Sequence, residues 1–392
     1  MRPDPKTAGL SALLLIVALT VSLLLGELAL RLLTPFPISE ESNVHAHPDL
    51  LYTADPAFPE IDPNGFRNPA PLRARYDVVA IGDSHTYGSN ASSSETWPAR
   101  FAQSTGLATY NMGMGGYSIY QYDVLFDMAV ALRPRWILLA LYPANDWMPD
   151  CALLRLPAWS NRATREGLEP PCDPTADAVP AAMRPSLRSF AARTAVGSAV
   201  RTLLLEPLRF VWLPRLGVRA AAGPELVVFP VGGREFTFGM SRLLNHSRGT
   251  DLASPRIAAA YEDGRRLLRR WRDGARTEGI AFAVAIIPSK EVVLRSWATD
   301  YGHAVPEELD RLTQNELAAT RVLLGDLQEM RIPAVDALPF VAARFEQTVR
   351  AGEDMYPPGL DGHPYPSGYG AYAAAIVSLI RAHDEARTQP LR

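Results

Sequence analysis

Four short stretches of this chain place reactive side chains where a fold can use them. Gly82-Asp83-Ser84-His85-Thr86-Tyr87-Gly88 sets a serine in a turn bounded by two glycines. A hydroxyl held at a strand-to-helix turn can attack a carbonyl, and its own amide can help hold the oxyanion that forms. Asn111-Met112-Gly113-Met114-Gly115-Gly116-Tyr117 offers backbone N–H groups that approach a ligand closely, because glycine has no Cβ. Tyr142-Pro143-Ala144-Asn145-Asp146-Trp147 offers an asparagine amide as a further donor. Asp361-Gly362-His363-Pro364 offers an imidazole base and a carboxylate to orient it. Taken singly, each is commonplace: Gly-Asp-Ser is a frequent turn, and Asn-Asp often caps a helix. Their order along the chain is what combines them. His363 is also the one histidine followed by a turn-and-helix pattern, from Pro364 to Gly370. His85 adjoins the serine too closely in the chain to reach round as its base, and reads as local structure.

The elements that would position these groups follow from hydrophobic periodicity. Residues 76–81 form a short apolar run that empties into the Ser84 turn, as a buried strand does. Residues 97–105 suit a helix, 107–110 a weak second strand, 118–132 a helix with one apolar side, and 136–141 another buried strand. Strand–helix–strand–helix–strand is the signature of a parallel sheet covered on both faces, and reactive groups gather at the carboxyl ends of such strands. The rhythm breaks over residues 148–255, which read as a long insertion with strand-like pieces at 226–229 and 235–238. It resumes with a helix over 257–277, a strand over 280–287, a helix over 306–328, a strand over 332–335 and a last helix over 370–382.

On these residues the chain resembles the SGNH/GDSL hydrolase superfamily, whose four blocks supply Ser, Gly, Asn and His in that order. The resemblance implies an α/β, flavodoxin-like three-layer sandwich with a parallel sheet, extending over roughly residues 77–379 and interrupted by the insertion. It implies Ser84 as nucleophile, His363 as base and Asp361 as its orienting carboxylate. The oxyanion hole would combine the Ser84 amide, the Gly116 amide, with Gly113 a close competitor, and the Asn145 side chain. No cofactor and no metal is called for. Two departures stand out: Pro143 replaces the glycine that usually opens the third block, and one residue rather than two separates Asp361 from His363. The shorter spacing, and the segment Ile287-Pro288-Ser289-Lys290, look like the periplasmic alginate O-acetyltransferases. The implied activity is hydrolysis of an acyl ester, an O-acetyl ester on an envelope glycan above all. Transfer of the acyl group to an exported glycan is the alternative, and would need a multispanning membrane partner to deliver the donor. A glycan-binding or assembly protein on an inert scaffold is the rival from another class.

Composition bounds these readings. The chain has 392 residues, 47% of them apolar and 21% charged, and a formal net charge of −3. No basic stripe suggests a nucleic-acid partner. The arginines between Arg265 and Arg276 alternate with Leu267, Leu268 and Trp271, as on the wet face of an amphipathic helix. Residues 7–26 contain no charge. A helix of that length spans about 30 Å, the hydrocarbon thickness of a bilayer. Arg2 and Lys6 precede it, no small-x-small cleavage site follows, and Glu27 and Arg31 continue the helical pattern. The expected arrangement is therefore a cytoplasmic N-terminus over residues 1–6, an uncleaved anchor over 7–33, a turn-rich lead-in over 34–75 and an extracytoplasmic domain over 76–392. Cys151 and Cys172 are the only cysteines, and an oxidising compartment would let them pair.

Overall fold

The computed structural model describes residues 5–33, 44–58, 60–148, 151–170, 172, 194–205, 208, 226–231, 233–239, 249–357, 359 and 361–388. Five strands form one parallel sheet: β3 (Val78–Gly82), β4 (Thr109–Asn111), β5 (Trp136–Leu141), β8 (Ala281–Ile286) and β9 (Ala334–Asp336). Their spatial order is β4-β3-β5-β8-β9. Counted along the chain, that is the 2-1-3-4-5 order of doubly wound sheets, in which ligands sit where neighbouring connections diverge, here between β3 and β5. Two antiparallel hairpins lie outside it, β1 (Val44–His47) with β2 (Leu51–Ala54) and β6 (Leu226–Val231) with β7 (Arg234–Gly239).

Each central strand is apolar on both faces, and its side chains alternate between two cores. Val79, Ile81, Ile137, Leu139, Val284 and Ile286 enter one cluster. Val78, Ala80, Leu138, Ala140, Ala283 and Ala285 enter the other. The first core is closed by α4 (Ile119–Ala131) and α7 (Pro255–Thr277) through Leu125, Phe126, Leu267, Leu268 and Trp271. The second is closed by α3 (Trp97–Thr105), α8 (Lys290–Asp300), α10 (Leu338–Ala351) and α11 (Pro366–Thr388). α9 (Glu307–Glu329) passes the sheet edge, giving Leu309 and Leu312 to the second core and Leu323 and Leu327 to the first. This is an α/β architecture with helices on both faces of a parallel sheet.

The turn-rich lead-in does more than connect. Leu50 and Ala54 are fully buried and Phe66 nearly so, all within the first core. Buried Asp62 accepts hydrogen bonds from the Asn64 and Phe66 amides, from Asn68 Nδ2 and from the Tyr110 hydroxyl. Asn68 in turn bonds both the N–H and the C=O of Asn111 at the end of β4. The arginine-rich α7 turns Arg270 toward Asp123 and Asp127 on α4, and Trp271 Nε1 donates to the same buried Asp123 at 2.8 Å. Of the insertion, α5 (Pro157–Glu166) is held to α4 by Arg162, 2.7 Å from Asp123 and 2.9 Å from Asp127. Cys151 and Cys172 form a disulfide.

At the N-terminus, α1 (Pro5–Leu33) is long and apolar enough over Leu13–Leu33 to cross a membrane, and most of that stretch is exposed.

Candidate active site

The Ser84 turn is built by its two glycines. A Cβ at Gly82 would lie 2.8 Å from the Ala140 carbonyl oxygen and run into the Thr86 side chain, so only glycine lets β3 turn this tightly beside β5. Asp83 then caps the one-turn helix α2 (Ser84–Tyr87), its Oδ1 accepting the His85 amide at 2.9 Å. Gly88 ends the turn in the left-handed region at φ 88°, against Thr96. Ser84 thus projects from the carboxyl end of β3, and it is 7% exposed.

The loop before α11 meets it from the other side. His363 Nε2 lies 2.7 Å from Ser84 Oγ, and His363 Nδ1 lies 2.7 Å from Asp361 Oδ1. The single intervening residue is sufficient because Asp361 closes an Asx-type turn, its Oδ1 also accepting the His363 backbone N–H at 2.9 Å. Asn90 fixes the far side, with Nδ2 2.8 Å from Asp361 Oδ2 and 3.2 Å from the His363 carbonyl. Burial raises the Asp361 carboxyl, but the facing His363 and the hydrogen bonds from His363 and Asn90 outweigh it and hold the group well below the usual carboxylate range. Asp361 is therefore a standing anion opposite Nδ1, which favours the tautomer with its proton on Nδ1 and an open Nε2 lone pair facing the serine.

The third loop leaves β5 on the same edge. Asn145 is exposed, and its Nδ2 lies 3.4 Å from Asp83 Oδ2, beside the Ser84 hydroxyl, which stands at the same distance from that oxygen. Fully buried Asp146 shapes this turn by accepting the Tyr142 amide at 2.7 Å. Gly249, where the chain returns from the insertion, packs so closely that a Cβ there would lie 2.8 Å from the Ala144 carbonyl carbon. Burial pushes the Asp83 carboxyl up to about 6, against the lowering influence of the His85 amide, His363, Asn145 and Ser84.

The two glycine candidates of the second block differ in what surrounds them. Gly113 packs against the Ser84 turn, where a Cβ would be 2.5 Å from the Thr86 carbonyl carbon, and its N–H already donates to Asn111 Oδ1 at 2.8 Å. Gly116 is exposed, has φ 76°, and its N–H donates to no protein acceptor among the described residues. The loop is registered to the first by Met114 N–H on the Gly82 carbonyl, and Tyr52 of the lead-in donates to the Gly115 carbonyl at 2.9 Å.

Three contributors were not legible as site residues. Asn90 sits in a left-handed conformation at φ 64°, which asparagine tolerates, and its place two residues past Gly88 is the only sequence signal. His85, read as local structure, is buried with its ring 4.9 Å from that of His363 and 4.3 Å from that of Tyr142, while Nδ1 faces the Tyr372 hydroxyl at 3.3 Å. Lys290 is 1% exposed and donates from Nζ to the carbonyls of Pro357, Gly359 and Asp361, at 2.8, 3.3 and 3.2 Å. The Pro-x-Lys segment thus underpins the loop that carries Asp361 and His363. No protein-family model matches this chain, and no curated protein matches it.

Proposed function

We propose that this chain is a membrane-anchored serine esterase of the SGNH/GDSL kind, acting through an acyl-enzyme. The observation that carries the reading is the continuous line Ser84 Oγ–His363 Nε2 and His363 Nδ1–Asp361 Oδ1, each step 2.7 Å. In this mechanism His363 takes the Ser84 proton as the hydroxyl oxygen attacks an ester carbonyl. The imidazolium is stabilised by Asp361. The Ser84 and Gly116 amides and Asn145 Nδ2 receive the oxyanion. Collapse of the tetrahedral intermediate breaks the ester C–O bond, and His363 Nε2–H protonates the departing alcohol. A second nucleophile, activated by the same nitrogen, then releases the acyl group and restores Ser84. Water as that nucleophile makes the protein an esterase acting on O-acyl groups of an envelope glycan; a sugar hydroxyl makes it an O-acetyltransferase.

The apolar helix α1 and the disulfide support the proposed placement outside the cytoplasm. A span preceded by Arg2 and Lys6 leaves the N-terminus in the cytoplasm, and a Cys151–Cys172 cross-link belongs to an oxidising compartment. The test is a fluorophosphonate label and an aryl acetate assay on the full chain in detergent, with Ser84→Ala as control. Labelling and turnover that vanish in Ser84→Ala are expected. Absence of both in the unmodified chain would return the reading to an inert glycan-binding scaffold. Acetylated sugar formed on adding oligosaccharide would identify the transferase.

A further inference from the structure

The span has a companion. Within α1, residues 26, 27 and 30 are half-buried while their neighbours are exposed, so one stripe near the helix end is covered. The cover is α6 (Ala195–Ala199), which continues as a π-type helix over Val200–Leu205. Val196 packs on Gly26, where an added Cβ would lie 3.5 Å from its Cγ2. Glu27 caps α6, its two carboxylate oxygens accepting the Ala195 and Val196 amides at 2.9 Å each, and also pairs with Arg31 at 2.8 Å. The carboxylate that closes the uncharged run is thus partnered, with Arg31 one turn on, about 9 Å from the end of the helix and at the level of a headgroup layer.

The continuation of α6 turns large apolar side chains outward. Leu203, Leu204, Leu205 and Leu208 are 69%, 59%, 52% and 44% exposed. A row of leucines open to water would be costly in a soluble domain, yet this row follows directly on the helix that packs against the leucine-rich α1. In sequence it runs on through Arg209, Phe210, Trp212 and Arg215, the mixture of aromatic and basic residues suited to a membrane interface.

Resting on the reading of α1 as a membrane span, we propose that Leu203, Leu204, Leu205 and Leu208 of the insertion form a second membrane contact, seated in the outer leaflet beside α1 on a helix clamped to it through Glu27. Their occupant is lipid acyl chain. Glu27 sets the height of this helix beside α1, so the two contacts enter the bilayer together.

The experiment uses the full chain in phosphatidylcholine–phosphatidylglycerol nanodiscs. An environment-sensitive NBD dye is placed on a single added cysteine in Leu204→Cys, in Leu19→Cys within the span, or in exposed Gln103→Cys on the domain. The native cysteines are bonded to each other, so the dye reaches only the added thiol. Doxyl-labelled lipid should quench the dye at positions 204 and 19, with blue-shifted emission at both, and leave position 103 unchanged. The shallow doxyl should quench position 204 more than the deep one. Quenching at 19 with none at 204 overturns the second contact and leaves the span standing. A blue shift at 204 without lipid quenching overturns it too, and assigns the leucines to a second copy or another protein. Loss of quenching at both 19 and 204 removes the span reading and this inference with it.

Discussion

At the scale of the residue, the site divides into groups that would touch a substrate and groups that aim them. Asn145 belongs to the first kind. Asn145→Ala should lower kcat by about 10²–10³-fold and leave fluorophosphonate labelling detectable, because only one donor to the oxyanion is lost. Equal activity in the variant would remove the asparagine from the oxyanion hole. Lys290 belongs to the second kind. Its ammonium gathers three carbonyls of the loop that carries Asp361 and His363, so Lys290→Met leaves those carbonyls without their donor. Displacement of the base by even an ångström is expected to cost on the order of 10²-fold in kcat, with little change in KM. A purely structural lysine would instead lower the melting temperature and leave kcat per folded molecule intact, which thermal melts and active-site titration distinguish.

At the scale of the element, a buried acid on α9 gives the fold a pH dependence separate from that of the candidate site. Glu316 accepts the Ser289 amide at 2.8 Å, the N-cap position of α8. Burial first, and then Glu291 and Asp336, push its carboxyl up to about 7 despite the hydrogen bonds from Ser289. Its folded value lies above its ordinary one, so its contribution to stability is full below about pH 4 and is lost as pH rises toward 7. Glu316→Gln keeps an oxygen for Ser289 and removes the titration. The variant should therefore match the parent near pH 4 and melt higher than it at pH 8. Elements of this α/β unit were unevenly legible. The strand over 136–141 and the helix over 97–105 stand where periodicity sets them, because a run apolar on both faces has few other uses. α8 and α10 were missed: their polar stretches, Lys290-Glu291 and Arg344 to Gln347, disguise faces that pack through Val293 and Leu294 and through Val341 and Phe345. The lead-in hairpin was missed because its strands are four residues each, too short for a period to show. Ser84, Asn145, Asp361 and His363 could be picked out as residues, since a turn chemistry marks each. The reach of Asn90 and Lys290 could not, since backbone carbonyls and loop conformations leave no letter in a sequence.

At the scale of the whole molecule, ion pairs join the insertion to the α/β unit. Arg162 pairs with Asp123, and Arg234 of the second hairpin lies 2.6 Å from Asp354 on the way to Asp361, while the disulfide closes a separation of 21 residues within the insertion itself. Replacing both cysteines by serine should lower stability by about 3 kcal/mol on the chain-entropy estimate, read from the denaturation midpoint and slope together. An unchanged midpoint would mean that the loop is ordered without the cross-link. Ten residues, 34–43, separate the end of α1 from the first strand. Even fully extended they reach only about 35 Å. With α1 in a bilayer, Ser84 would meet the proposed ester in a thin layer rather than in a volume. Turnover on a surface-bound ester would then scale with enzymes per unit area of membrane, and dilution of the cells would leave it unchanged.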